Sequence, residues 1–136
     1  MPSVLQMAVL PECIQLQQNL PDGLPDIIGD VDQIRIVFGN LIRNAVEAMP
    51  KGGRLDLTAT AQDTLVEVAV ADTGMGIAPE NLARILEPLY STKARGLGLG
   101  LAIARAILEK NRGSLRVVSE PGNGTIFTVQ LATKVR

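Results

Sequence analysis

The sequence predicts an α+β fold: a two-layer α/β sandwich in which about three helices cover one face of a mixed, mostly antiparallel sheet. Three observations predict it. Two pairs of short alternating segments, 55–61 with 66–70 and 114–119 with 125–131, are each joined by a short connection and read as hairpins. The stretch after Asp30 repeats its apolar residues at helical spacing. The elements then come in the order strand, helix, hairpin, helix, helix, hairpin, which segregates helices to one side of an antiparallel sheet.

The first strand is Cys13–Leu20, which alternates loosely through Ile14 and Leu16 and reads as an edge. Pro21, Gly23 and Pro25 punctuate it. Asp30 reads as a helix N-cap, with Gln33 three residues on as in a capping box. Val31, Ile34, Phe38, Leu41, Ala45 and Met49 form the apolar face of that helix, and Pro50 with Gly52–Gly53 stops it. Leu55, Leu57, Ala59 and Ala61 share one face of a strand, Val66, Val68 and Val70 one face of the next, and Gln62–Asp63 connects them. Pro79–Glu80 starts a helix within a mixed segment that runs to Lys93. Gly96 to Gly100 opens the last helix, which ends near Asn111 and Gly113. Pro121-Gly122-Asn123-Gly124 is the turn of the closing hairpin.

Composition bounds the function. The chain has 136 residues, enough for one domain with a real core. Residues 13–136 are read as that domain and residues 1–12 as a linker remnant or frayed N-terminus. Hydrophobic residues make up 46%, which excludes a disordered chain. With two phenylalanines, one tyrosine and no tryptophan, the core must be built from Leu, Ile, Val and Ala. A net charge of −1 argues against a nucleic-acid binder with a broad basic surface, so an anionic ligand must be held by local groups. The single cysteine, Cys13, rules out an internal disulfide and fits a reducing compartment. No apolar run reaches membrane-spanning length and no signal peptide is visible. The chain has no histidine, which excludes histidine-based acid–base chemistry, the usual zinc sites and any phosphohistidine within these residues.

Three local features carry chemistry. Asn40 and Asn44 sit four residues apart on the long helix, about 40° of rotation, so both amides project on one side at the edge of the apolar face. Neutral amide oxygens suit a hard cation whose charge is met by phosphates; two solvated asparagines are the plainer reading. Asp72-Thr73-Gly74-Met75-Gly76 follows directly on a strand. A carboxylate there can accept from an exocyclic amine such as that of adenine, and the glycines admit a flat ring; an ordinary strand-to-loop turn is the alternative. Gly96-Leu97-Gly98-Leu99-Gly100 enters a helix, where unhindered N–H groups make an anion site and the preceding segment a flexible lid. This spacing is neither a Walker A loop nor the dinucleotide G-x-G-x-x-G.

Together these features resemble a known family. Val37 to Met49 looks like the N box of sensor histidine kinases, Asp72 to Ile77 like their first glycine box, Ile85 to Lys93 like the F box, and Gly96 to Leu101 like the second glycine box. Gly122 to Phe127 is similar to the closing glycine-containing turn. The resemblance covers roughly residues 14–132 and implies the Bergerat ATP-binding fold of gyrase, Hsp90, MutL and histidine kinases. It implies that Asn44 ligates Mg²⁺, with Asn40 beside it on the metal or the phosphates. Asp72 takes the adenine amine, supported by Thr125 through water, and Gly74, Gly76 and Ile77 line the base. Gly96, Leu97, Gly98, Leu99 and Gly100 hold the phosphates, and Lys93 reaches the γ-phosphate.

The implied activity is phosphoryl transfer from Mg-ATP to a histidine on a separate dimeric helical domain, with a response regulator downstream and the isolated domain a monomer in the cytoplasm. The acceptor is expected upstream of Met1 or on another chain. Leu86, Leu89 and Tyr90 replace the phenylalanines usual in the F box. Glu47-Ala48 stands where many relatives carry Lys or Arg and then Tyr, as in the nitrogen-regulation-like subgroup, which shifts phosphate contacts to Lys93 or Arg43. The usual His-Gly-Gly reads Asn111-Arg112-Gly113 and is taken as a helix end of no consequence. The alternatives are an ATP-hydrolysing domain of the gyrase, Hsp90 or MutL kind, a non-catalytic nucleotide-binding regulator, and an anti-sigma-type serine kinase. Hydrolysing relatives place a glutamate where this chain has Asn40.

Overall fold

Alternation decides which side of the sheet is covered. Leu55, Leu57 and Ala59 are buried on one strand, Val66, Val68 and Val70 on the next, and Phe127, Val129 and Leu131 on a third. Their pairing aligns them in rows, Leu57 with Val70 and Phe127, Ala59 with Val68 and Val129. In a strand successive side chains point to opposite faces, so one continuous apolar face results. The computed structural model describes residues 13–20, 27, 29–62, 64–76 and 97–133, with 97–100 by backbone alone.

The described elements are β1 (Ile14–Asn19), α1 (Val31–Glu47), β2 (Gly53–Gln62), β3 (Leu65–Asp72), α2 (Leu97–Lys110), β4 (Ser114–Ser119) and β5 (Thr125–Ala132). The sheet runs β1-β2-β3-β5-β4. β1 pairs with β2 in parallel, and the other neighbours are antiparallel. Both hairpins therefore form, and the first strand is an edge. The helix expected from Pro79–Glu80 lies outside the described residues.

α1 lays Ile34, Val37, Phe38, Leu41 and Ala45 on the sheet, and α2 adds Leu101, Ala104 and Leu108. Burying each of the larger side chains contributes about 1.5–3 kcal/mol. Two expectations for α1 are corrected. Val31, counted on the apolar face, is 51% exposed, because the first turn precedes the part of the helix that meets the sheet. The helix ends at Glu47 with Ala48 as C-cap, so Met49 is buried beyond the helix rather than within it. Ala61, placed on the apolar face of β2, is exposed near that strand's end.

Asp30 caps α1 as its sequence predicts: its carboxylate accepts from the N–H groups of Asp32 at 2.9 Å and Gln33 at 3.1 Å. The other half of the capping box is different. The Asp30 N–H donates to Asn111 Oδ1 at 2.9 Å, and Asn111 Nδ2 donates to Gln33 Oε1 at 2.9 Å and to the Ile107 carbonyl at 2.8 Å. Asn111 thus ties the C-terminal end of α2 to the N-terminus of α1, a larger role than closing a helix. Asn111→Ala removes the partner of the part-buried Asp30 N–H and of Gln33 Oε1, while the Ile107 carbonyl keeps the residue-111 N–H, and is expected to lower the urea unfolding free energy by about 1–2 kcal/mol. An unchanged midpoint and slope would show that water replaces these bonds.

Candidate nucleotide site

Counting two residues on from Val70 puts Asp72 on the helix-facing side of β3, at its end, and the register sets it opposite Thr125 of β5. Asp72 is 7% exposed and Thr125 is 4% exposed. The Asp72 carboxylate accepts the Gly74 N–H at 2.8 Å, and the Thr125 N–H also donates to it. Burial pushes the Asp72 carboxyl above its usual range, and the two backbone donors only partly offset that shift.

The loop after Asp72 is held from two sides. The Met75 N–H donates to the carbonyl of Ala48, the C-cap of α1, at 3.2 Å. The Gly122 N–H donates to the Met75 carbonyl at 2.8 Å. The Ala48 N–H in turn donates to the Asn44 carbonyl at 3.0 Å. A run of backbone bonds therefore joins the asparagine helix, the Asp-Thr-Gly loop and the closing turn. Glycine is required at two of its points. Gly76 has φ +75° and a Cβ there would collide with the Glu120 carbonyl; Gly124 has φ +87° and a Cβ would collide with the Asp72 carbonyl. Gly74 lies against Ala48.

Asn40 and Asn44 face the same side of α1, as their spacing predicts. Asn40 is buried, and its Oδ1 accepts from Arg43 Nη2 at 2.7 Å. Asn44 is half-buried, and its Nδ2 is shielded from solvent with no hydrogen-bond partner among the described residues. A shielded amide N–H of this kind suits an acceptor that the described residues do not supply. No cluster of acidic or cysteine side chains suited to a metal occurs among the described residues, so a cation here would meet neutral amides and bring its own anionic ligand.

Of the other candidate residues, Leu97, Gly98, Leu99 and Gly100 form the first turn of α2, as the glycine spacing predicts. Ile77, Lys93 and Gly96 lie outside the described residues. Two residues near the site have roles that the sequence did not assign. Thr73 Oγ1 accepts the Arg54 N–H at 3.0 Å, which fastens the loop to β2. Ser119 stands opposite Thr125 in the β4–β5 pair, and their hydroxyl oxygens are 2.7 Å apart. The hairpin register was the signal for Ser119, because its turn length places the two residues face to face.

The sheet order, the helix pair and this corner define the class of ATP-binding α/β sandwiches. A family model described as histidine kinase-, DNA gyrase B-, and HSP90-like ATPase matches residues 29–135, and the chain belongs to that family. Within it, the likeness is to the catalytic domain of sensor histidine kinases. The chain is 39% identical to sporulation kinase E of Bacillus subtilis over 122 residues, covering 89% of this chain and 16% of that protein. Among solved structures, the nucleotide-free catalytic domain of the histidine kinase ThkA matches with TM-score 0.78 and 29% identity, over 88% of this chain and 79% of that one. Full-length ShkA in complex with AMPPNP matches with TM-score 0.76 and 36% identity, over 90% of this chain and 27% of that one. The chain thus spans only a small part of its longer relatives.

Proposed function

We propose that this domain binds ATP with Mg²⁺ and presents the γ-phosphate to a histidine on a separate dimeric helical domain, from which a response regulator is then phosphorylated. The observation that carries the proposal is the joined corner: a buried carboxylate–threonine pair at one end of the sheet, fastened through backbone bonds to a helix whose Asn44 Nδ2 is shielded with no partner among the described residues. The family match and the AMPPNP complex of ShkA support a nucleotide as the occupant.

In this reading Asp72 accepts the adenine amine and the glycines of the loop admit the ring. Asn44 would hold Mg²⁺ through its amide oxygen, and the metal would supply neutralisation of the phosphate charge. The Arg43 cation on Asn40 Oδ1 disfavours a second cation at that oxygen, so Asn40 belongs to the phosphates rather than the metal. The backbone of Leu97 to Gly100, at the start of α2, faces the phosphates as an anion site. Lys93 and Arg43 supply positive charge. Phosphoryl transfer then needs little beyond alignment and charge neutralisation. An imidazole nitrogen of the acceptor forms the new N–P bond with its lone pair as the bond from Pγ to the bridging oxygen breaks, and ADP leaves with that electron pair.

The acceptor is supplied from elsewhere, since these 136 residues contain no histidine. Among the described residues no helix is long and apolar enough to cross a membrane; the reading places the domain as a monomer in the cytoplasm, where ATP is available. A hydrolase reading is disfavoured by Asn40, because an amide cannot take a proton from water as a carboxylate does. Calorimetry tests the proposal at its base: ADP and Mg-ATP are expected to bind, ATP with Mg²⁺ dependence, and no heat of binding at millimolar Mg-ATP would overturn it.

A further inference from the structure

A hydroxyl can either donate or accept toward a ligand, and that choice decides which base it favours. The Ser119 hydroxyl donates to the Gly124 carbonyl at 3.0 Å. A serine has one proton. Either hydroxyl could donate across the 2.7 Å contact between Ser119 Oγ and Thr125 Oγ1, but only donation by Thr125 leaves the Ser119 proton for the Gly124 carbonyl; that arrangement points the Thr125 proton at Ser119 and away from Asp72. Thr125 Oγ1 is left to present lone pairs on its remaining side. Thr125 is 4% exposed and paired across the sheet with Asp72, so its hydroxyl has little freedom to turn, and the acceptor side of one residue lies beside the carboxylate of the other. The bond takes its shape from the tight turn: Gly124, at φ +87°, directs its carbonyl back toward Ser119, and the Glu120 N–H also donates to that carbonyl at 3.3 Å.

We propose that Ser119 is a specificity-positioning residue: by holding Thr125 as an acceptor, it makes the Asp72–Thr125 corner an acceptor-only surface that selects a base carrying an exocyclic amine over one carrying a carbonyl at the same position. The inference rests on the nucleotide reading above and adds a residue outside the asparagine and glycine motifs. Ser119 reaches the base only through Thr125, which meets the amine directly or through a water it shares with the base.

The test compares ADP with inosine diphosphate, which carries a carbonyl in place of the amine, by calorimetry on the whole chain. Wild type is expected to favour ADP. Ser119→Ala frees the Thr125 proton to turn toward the base, and should lower the ADP-to-inosine diphosphate affinity ratio by about fivefold, the equivalent of one ordinary hydrogen bond. Ser119→Thr keeps the hydroxyl and should restore the ratio, which a merely structural effect of losing Ser119 would not do for the ratio alone. Ser119→Cys, a weak donor of similar size, serves if the alanine variant fails to fold, and should lower the ratio in the same direction. ADP binding with a ratio within twofold of wild type in Ser119→Ala or Ser119→Cys would overturn the role of Ser119 alone. No ADP binding by the wild-type chain would overturn the nucleotide reading and this one with it.

Discussion

Asp72→Asn is expected to weaken ADP on the order of 10–100-fold while leaving the circular dichroism unchanged. The carboxylate accepts from Gly74 and Thr125 and, in the proposed complex, from the base amine. An amide has only one oxygen to offer, so at least one donor meets another donor, and a lost bond to a charged group is worth about 1.5–3 kcal/mol. The pH dependence has a definite sign. Burial raises the Asp72 carboxyl above its ordinary 3.8, so folding favours its protonated form. That contribution to stability is present in full at low pH and is lost as pH rises through the raised value. Adenine binding needs the opposite, ionised state. ADP affinity should therefore fall as pH drops through the raised value, while the nucleotide-free domain is relieved of a buried charge over the same window. In Asp72→Asn the ADP pH profile should lose that inflection. ADP affinity within twofold of wild type, or an inflection that persists in the variant, would reject the adenine assignment.

Asn44→Asp is expected to reduce phosphotransfer by about 10²–10³-fold, in the range seen when one preorganised electrostatic contact is removed. The native amide is neutral, and its Nδ2 is buried without a partner among the described residues. A carboxylate at that place adds a charge beside the phosphates and removes the N–H donors, so it opposes the triphosphate at close range. Its effect should be much larger on Mg-ATP than on Mg-free ADP, which a general loss of fold would not produce. Equal weakening of both ligands would show that Asn44 holds the helix rather than the metal.

The sequence makes parts of this architecture legible and hides others for physical reasons. Asp30 and the repeat from Ile34 to Ala45 announce α1 because capping and a buried face are local properties. Asp72 stood out as a carboxylate at a strand end followed by glycines, and its burial on the helix-facing side follows the alternation of Val66, Val68 and Val70. The parallel pairing of β1 with β2 was not legible, since parallel neighbours share no turn and Leu16 on an edge stays 41% exposed. Val31 satisfied the helical spacing yet is exposed, because periodicity does not say where the sheet begins. Asn111 looked like an ordinary helix end; its partners Asp30 and Gln33 are distant in the chain and nothing local signals them. Arg43 shows the limit for the site, where spacing sets both asparagines on one side of the helix but does not show that a guanidinium donates to Asn40 Oδ1.

In the proposed function this domain transfers phosphate to a histidine outside itself rather than to water. The most direct measurement incubates the chain with γ-labelled Mg-ATP, alone and with a dimeric helical domain bearing an exposed histidine from one of the kinases it resembles. No label is expected on the chain itself, which has no histidine, and turnover of ATP alone should be negligible. With the partner domain, acid-labile, base-stable label is expected on that domain, lost in Asn44→Asp. Steady hydrolysis by the chain alone, removed by Asn40→Ala, with no label on the partner domain, would contradict the proposed function.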